Sequence, residues 1–239
     1  MEECVFVDGI RTPNGRAHAE KGWFRNLRPD QLLTAVYDGL FERNKQIKPE
    51  DVDAVLVGCA NPSGMQNDIG RLGWLAGGYP ESVPSNTITN QCPSGMAATM
   101  HAARAIMTGE TDIMIAAGVE DMEKVAMGAN MDFPPRLFDR YNLMDFPMGA
   151  TAEKVAEVYK VAREDMDNMA IWSNKKAAGA RDAGKFKNEI IPVTGLDMEG
   201  KEFLVDHDQW IRDKTDSEKM AAMVSPFKPD GNVTAATSS

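Results

Sequence analysis

Apolar residues follow two different spacings in the first half of the chain. From residue 30 onward they recur every three or four positions, which predicts an amphipathic helix with Asp30 as its N-cap. Residues 53–59 and 112–117 instead contain short runs that are apolar at successive positions. Such runs are typical of strands that are buried on both faces of a sheet.

Further elements fill the gaps between these segments. We predict strands at residues 4–8 and 85–89, and an Ala- and Met-rich helix at residues 93–108 that ends at Gly109. Strand and helix therefore alternate as far as residue 118. This order predicts the α/β class, with a parallel or mixed sheet covered by helices on both faces.

The pattern changes after residue 118. Residues 121–147 show no regular period, residues 151–183 are typical of two amphipathic helices, and residues 188–193 predict one short strand. We therefore expect three parts: a core at residues 1–118, an inserted, mostly helical subdomain at 119–228, and a return to the core at 229–239.

Composition excludes several classes of protein. The 239 residues are 43% hydrophobic and carry a formal charge of −10, which disfavours a nucleic-acid partner. The apolar runs are too short for a membrane span and the first residues do not resemble a secretion signal, so we expect a cytoplasmic protein. Three separated cysteines and three scattered histidines predict no metal site.

One cysteine stands at a chemically favourable position. Cys92 lies between a predicted strand and a predicted helix, with Pro93 at the first helical position. The N-terminus of a helix favours a thiolate and binds oxyanions, so Cys92 is a candidate nucleophile. The alternative is that Cys92 is an unreactive buried thiol.

A family resemblance favours the nucleophile. The segment Cys92-Pro-Ser-Gly-Met-Ala-Ala resembles the nucleophile segment of thiolases, and further segments resemble that family in the same order along the whole chain. These are Arg11-Thr-Pro-Asn-Gly-Arg, Gly58-Cys-Ala-Asn-Pro-Ser-Gly, Ala117-Gly-Val-Glu-Asp-Met, Met148-Gly-Ala-Thr-Ala-Glu and Pro226-Phe-Lys-Pro-Asp-Gly-Asn-Val-Thr-Ala.

The resemblance implies a two-step acyl transfer. The cysteine takes an acyl group from acyl-CoA, and the acyl-enzyme is then cleaved by CoA or condensed with acetyl-CoA. Coenzyme A and its thioesters act as substrates, and no permanently bound cofactor is implied. By the same resemblance Met148, Arg212 and Ser239 contact the substrate, whereas a core methionine, a surface ion pair and a chain terminus are their alternatives.

Half of the family's catalytic groups are missing from this sequence. Thiolases carry Gly-His-Pro, Asn-Glu-Ala-Phe and Cys-x-Gly motifs in their carboxy-terminal half, and none of these occurs here. The sequence also stops before the family's last strand of the first half. We expect a split thiolase that is active only with a second chain, in a dimer of such pairs; the alternative is a truncated piece of a longer protein.

Other interpretations remain open. A ketoacyl synthase or hydroxymethylglutaryl-CoA synthase also uses a cysteine between strand and helix, although the inserted subdomain disfavours both. A subunit that only binds CoA or holds a partner would leave Cys92 without a chemical role. Thr89 and Pro147 depart from the pattern of many thiolases, so the acyl chain length stays open.

Overall fold

A computed structural model describes residues 1–238 and divides the chain into two compact units. Unit 1 comprises Met1–Met131 and Phe186–Trp210, and unit 2 comprises Asp132–Lys185 and the residues from Ile211 onward. Residues 186–210 thus group with the first unit by their contacts. The predicted boundaries at residues 118 and 228 concern a CoA-binding subdomain and stay predictions.

Unit 1 is built on a parallel three-stranded sheet in the order β2–β1–β3. Helices connect the strands, which confirms the α/β class predicted from the sequence. A separate antiparallel hairpin, β4–β5, lies in the later segment of the unit. The elements are α1 (Pro29–Arg43), β1 (Ala54–Gly58), α2 (Ile69–Ala76), β2 (Ser85–Ile88), α3 (Ser94–Met107), β3 (Met114–Gly118), β4 (Val193–Leu196) and β5 (Glu202–Val205).

The central strand β1 is buried on both faces, as its apolar run predicted. Val55 and Val57 pack into a cluster with Leu33 of α1 and Trp74 of α2. Leu56 points the other way and packs against the small residues of α3. Successive strand side chains face opposite sides of a sheet, so helices on both sides require apolar residues at every position of β1.

Two helix ends test the predicted signals. Helix α3 ends just before Gly109, whose φ of +73° is the left-handed conformation expected after a helix. Helix α1 begins at Pro29, and its N-cap is Arg28 instead of the predicted Asp30. The Arg28 N–H donates to the Gln31 side chain at 2.9 Å, and Asp30 lies in the first turn, where a carboxylate is also favourable.

The predicted strand at residues 4–8 is wrong. These residues form no strand in unit 1, because no neighbouring strand lies beside them to receive their backbone hydrogen bonds. The predicted strand at 188–193 is reduced to one isolated bridge between Arg11 and Ile190. The hairpin begins at Val193 instead, and its turn contains Gly200 with a φ of +84°.

Unit 2 is helical. It contains α4 (Met148–Tyr159), α5 (Arg163–Asp182) and the short α6 (Ser217–Ala221), so the two predicted amphipathic pieces correspond to α4 and α5. Its first segment has two 3-10 turns, Pro135–Leu137 and Leu143–Asp145, consistent with the absence of a regular apolar period there. Among residues 1–238, no helix combines the length and apolarity that crossing a bilayer requires.

A buried carboxylate holds unit 2 together. Glu153 of α4 accepts hydrogen bonds from Ser225 Oγ at 2.8 Å, from the Asn232 N–H at 3.0 Å and from the Val233 N–H at 2.7 Å. Burial raises the pKa of Glu153, but these hydrogen bonds and Lys228 outweigh burial, so its pKa lies below the ordinary value. The carboxylate therefore fixes the last described segment of unit 2 to α4.

Candidate active site

Three glycines bring the carboxyl ends of two strands and the start of a helix together in unit 1. A Cβ on Gly58, the last residue of β1, would collide with the backbone of Ser94 and Gly95 at the start of α3. A Cβ on Gly118, the last residue of β3, would touch the Gly95 Cα at 3.7 Å. Glycine at these positions allows a close approach of backbones. The edge where parallel strands end is also where α/β proteins place their ligands.

Cys92 lies in the tight turn that leads from β2 into α3. The preceding residue, Gln91, has a φ of +53°, a left-handed conformation that few non-glycine residues adopt. Buried Ser94 holds the turn, because its hydroxyl accepts from the Asn90 N–H at 2.8 Å and donates to the Gln91 carbonyl. Cys92 is a free, exposed cysteine. The turn thus presents the thiol to solvent from a fixed backbone.

The backbone around Cys92 also favours negative charge. Cys92 precedes the first residue of α3 by two positions, where N–H groups without helical acceptors and the helix dipole attract anions. Within residues 1–238 the Cys92 N–H itself has no hydrogen-bond acceptor. An oxyanion that forms beside the sulfur can therefore accept a hydrogen bond from this N–H.

A second cysteine lies at the end of the neighbouring strand. Cys59 follows β1 directly and is completely buried, and its Sγ lies 3.7 Å from the Glu120 Oε2. Burial, followed by the Glu120 carboxylate, raises the pKa of the Cys59 thiol to about 11. Cys59 is therefore a neutral thiol at neutral pH, which excludes it as a nucleophile under those conditions.

Glu120 belongs to a polar network that sequence reasoning missed. Its carboxylate accepts from the Ala60 N–H at 2.6 Å and from Gln66 Nε2 at 2.7 Å. Buried Gln66 also accepts from the Asp121 N–H at 2.6 Å. The network joins the loops that follow β1 and β3. A glutamine has no sequence signature for such a role, but the glycines that end both strands were a usable signal.

The described residues place no general base on Cys92. His101 lies on α3 and is exposed, in agreement with the prediction that it is too far along the helix. His18 accepts from the Glu20 N–H at 3.1 Å, and His207 lies against Asp206 and the ring of Trp23. No group of three or more candidate metal ligands occurs in the part of the chain that is described.

The predicted substrate contacts lie in unit 2, whereas Cys92 lies in unit 1. Met148 is the first residue of α4, and its side chain is 76% exposed. Arg212 is exposed, and its N–H donates to the Asn174 side chain at 3.3 Å. Ser239 lies outside the described residues. The roles of these three residues stay predictions.

Comparison with known proteins gives a consistent result. The model of the thiolase amino-terminal domain matches residues 4–239. The 3-ketoacyl-CoA thiolase of Shewanella sp. (strain MR-7) is 39% identical, with 100% of this chain and 62% of the relative covered. The 3-ketoacyl-CoA thiolase of Marinomonas sp. (strain MWYL1) is 36% identical, with 99% and 61% covered.

A solved structure shows the same similarity. The crystal structure of the Bacillus anthracis acetyl-CoA acetyltransferase matches with a TM-score of 0.80 and 29% identity, with 97% of this chain and 61% of that chain covered. The chain thus spans about three fifths of the length of the relatives it matches.

Proposed function

Because this chain belongs to the thiolase family, whose amino-terminal domain it matches, we propose that it carries the nucleophile of an acyl-CoA acyltransferase. The observation that carries the proposal is the placement of Cys92: an exposed thiol in a constrained turn at the N-terminus of α3. A thiol there is accessible to a thioester, and the adjacent N–H groups favour its thiolate form.

The first step transfers an acyl group to Cys92. The Cys92 thiolate attacks the thioester carbonyl carbon, a C–S bond forms, and the carbonyl oxygen becomes an oxyanion that accepts from the Cys92 N–H. The bond to the sulfur of CoA then breaks, and the leaving thiolate takes up a proton. The product is an acyl-enzyme on Cys92 and free CoA.

The second step removes the acyl group from Cys92. Either the thiol of CoA attacks the acyl-enzyme, or acetyl-CoA loses an α-proton and its carbanion forms a C–C bond to the acyl carbon. Both routes release the Cys92 thiolate, and both require a base. The missing two fifths of the relatives' length corresponds to the part where the family carries its base motifs, so we assign the bases to that part, on a second polypeptide.

Unit 2 is proposed to bind the CoA portion of the substrate. Met148 at the start of α4 and Arg212 are accessible for such contacts, and Ser239 is included because of the family resemblance. A guanidinium is well suited to phosphate groups such as those of CoA. The predicted CoA-binding subdomain at residues 119–228 is part of the same proposal.

The test is labelling with radioactive acetyl-CoA. The chain is combined with the carboxy-terminal part of the Shewanella relative, the part it does not match, as a separate polypeptide. Cys92→Ala should lower covalent labelling and acyl transfer by at least about a thousandfold. Cys59→Ala is the matched control and should keep most of the activity, because Cys59 is a buried neutral thiol.

Two results would contradict the proposal. Acyl transfer that survives Cys92→Ala would place the nucleophile elsewhere and would favour a subunit that only binds CoA or its partner. Label that appears on Cys59 in the unmodified protein would exclude the assigned nucleophile directly.

A further inference from the structure

An open slot runs along the outer edge of β3 in unit 1. Two cavities, of about 430 and 360 Å³, together follow the whole strand. Residues 112–118 line one side of these cavities, and residues 3–13 line the other. We call this space the edge slot. It separates a strand of the sheet from the segment that the sequence predicted to be a strand.

The backbone of β3 faces the edge slot with unpaired groups. In β1 the N–H groups of Val55 and Cys59 donate toward β2, whereas the Gly58 carbonyl accepts from the Val119 N–H. Because backbone groups of a strand alternate sides, odd-numbered residues of β3 point to β1. Met114 and Ala116 therefore point their N–H and C=O groups into the slot, where the described chain offers no backbone partner.

The opposite wall is an extended segment with exposed apolar side chains. Val5, Phe6 and Val7 are 65%, 83% and 67% exposed. Between the Glu2 N–H, which donates to the Met107 carbonyl at 3.0 Å, and Arg11, residues 1–238 supply this segment with no backbone-to-backbone hydrogen bond. An apolar segment with unsatisfied backbone groups needs a neighbouring strand.

Helices cover the edge slot from both sides. Leu40 and Phe41 of α1 line it on one side, and Ala102 and Ile106 of α3 line it on the other. A strand that occupies the slot would therefore bury its side chains on both faces, as β1 does. Such a strand must be apolar at successive positions instead of alternating.

We propose that the edge slot accepts one β-strand from the carboxy-terminal part of a thiolase, with residues 4–8 pairing along its far side. The inference rests on the proposed function and names the contact through which the second polypeptide joins this chain. The relatives extend beyond the matched region by about two fifths of their length, so they contain polypeptide that can supply the strand. A helix, about 10 Å wide, does not satisfy an open strand edge.

Hydrogen–deuterium exchange on the complex tests this. The full chain is mixed with the same carboxy-terminal part of the Shewanella relative used above. Exchange at Met114, Ala116 and residues 4–8 should slow by at least about tenfold in the complex. Ile115 and Ala117 already bond to β1 and are the internal control, since their exchange should change less.

Substitutions on the exposed wall give a second measurement. The double variant Val5→Asp, Val7→Asp places charge on a surface that is exposed in this chain but buried after strand addition. Its affinity for the carboxy-terminal part should fall at least about tenfold. Val224→Asp, at an exposed valine of unit 2, is the matched control and should bind normally.

The possible failures differ from those of the proposed function. Absence of binding, binding without protection along the slot, or protection that depends on the concentration of this chain alone would each overturn the inference; the last would assign the slot to a second copy. If Cys92 is acylated without slot protection, the function stands and the slot assignment falls. If the slot is protected but Cys92→Ala keeps acyl transfer, the proposed nucleophile falls instead.

Discussion

Cys59 and Cys92 follow neighbouring parallel strands, yet their surroundings are opposite. After β1 the chain passes beneath Glu120, and Cys59 is completely buried with a pKa raised to about 11. After β2 the left-handed Gln91 redirects the chain, and Cys92 reaches solvent at the start of α3. Position at the end of a strand is therefore insufficient to define a nucleophile. The direction that the backbone takes afterwards decides whether a thiol is usable.

The largest expected difference between the two cysteines is in their alkylation. At pH 8 a pKa of about 11 leaves roughly 0.1% of Cys59 as thiolate, and burial restricts reagent access further. Iodoacetamide should modify Cys92 at least about a hundredfold faster than Cys59, as measured by peptide mass spectrometry. In denaturant the two rates should converge. Similar rates in the folded chain would show that the comparison is wrong.

Gly58→Ala tests the backbone contact that the two regions share. The new Cβ would collide with the backbone of Ser94 and Gly95, so the start of α3 must move. The free energy of unfolding should fall by about 2–3 kcal/mol in urea denaturation, and the alkylation rate of Cys92 should change. Gly179→Ala in α5 is the control: nothing lies near its Cβ, and helix propensity predicts a gain of up to about 1 kcal/mol. Equal stability of the two variants would exclude a tight contact at Gly58.

Gln66→Leu tests the burial of Cys59. The substitution leaves the Glu120 carboxylate and the Asp121 N–H without their partner, at a cost of about 1–3 kcal/mol in unfolding free energy. Alkylation of Cys59 should become faster while that of Cys92 stays nearly constant. Gln46→Leu, at an exposed glutamine, should change neither quantity. Faster alkylation of both cysteines would mean that the network supports the whole edge.

The smallest effect is a change in the pH dependence of stability. Cys59 has a folded pKa above its unfolded value of 9.0, so its neutral thiol stabilises the fold below that value. This contribution is lost as the pH rises from about 9 through 11. Cys59→Ala should therefore flatten the alkaline decline in unfolding free energy measured from pH 8 to 11. An unchanged slope would indicate that Cys59 already ionises normally.

Local sequence patterns predicted most of unit 1 because its strands and helices satisfy their own backbone groups. The apolar run of β1 and the glycine after α3 correspond directly to structure. The strand predicted at residues 4–8 failed because pairing is a property of two segments, and its own pattern cannot supply the neighbour. The cap of α1 shifted by two residues because Arg28 and Gln31 form the reciprocal contact that Asp30 was expected to make.

The candidate site was predictable only at its centre. Cys92 stands out since a strand, a cysteine, a proline and a helix follow one another in sequence. Glu120 and Gln66 are 54 residues apart, and only the fold brings them together. The left-handed conformation of Gln91 was equally invisible, because glutamine rarely adopts it.

The unpaired outer edge of β3 has a consequence for how this polypeptide is handled during and after synthesis. An apolar strand edge that lacks a neighbour is a template on which other extended chains assemble, including further copies of the same molecule. Until the slot is filled, the free chain depends on low concentration or on chaperones to avoid aggregation. Production together with the strand donor is therefore the natural route to a well-behaved sample.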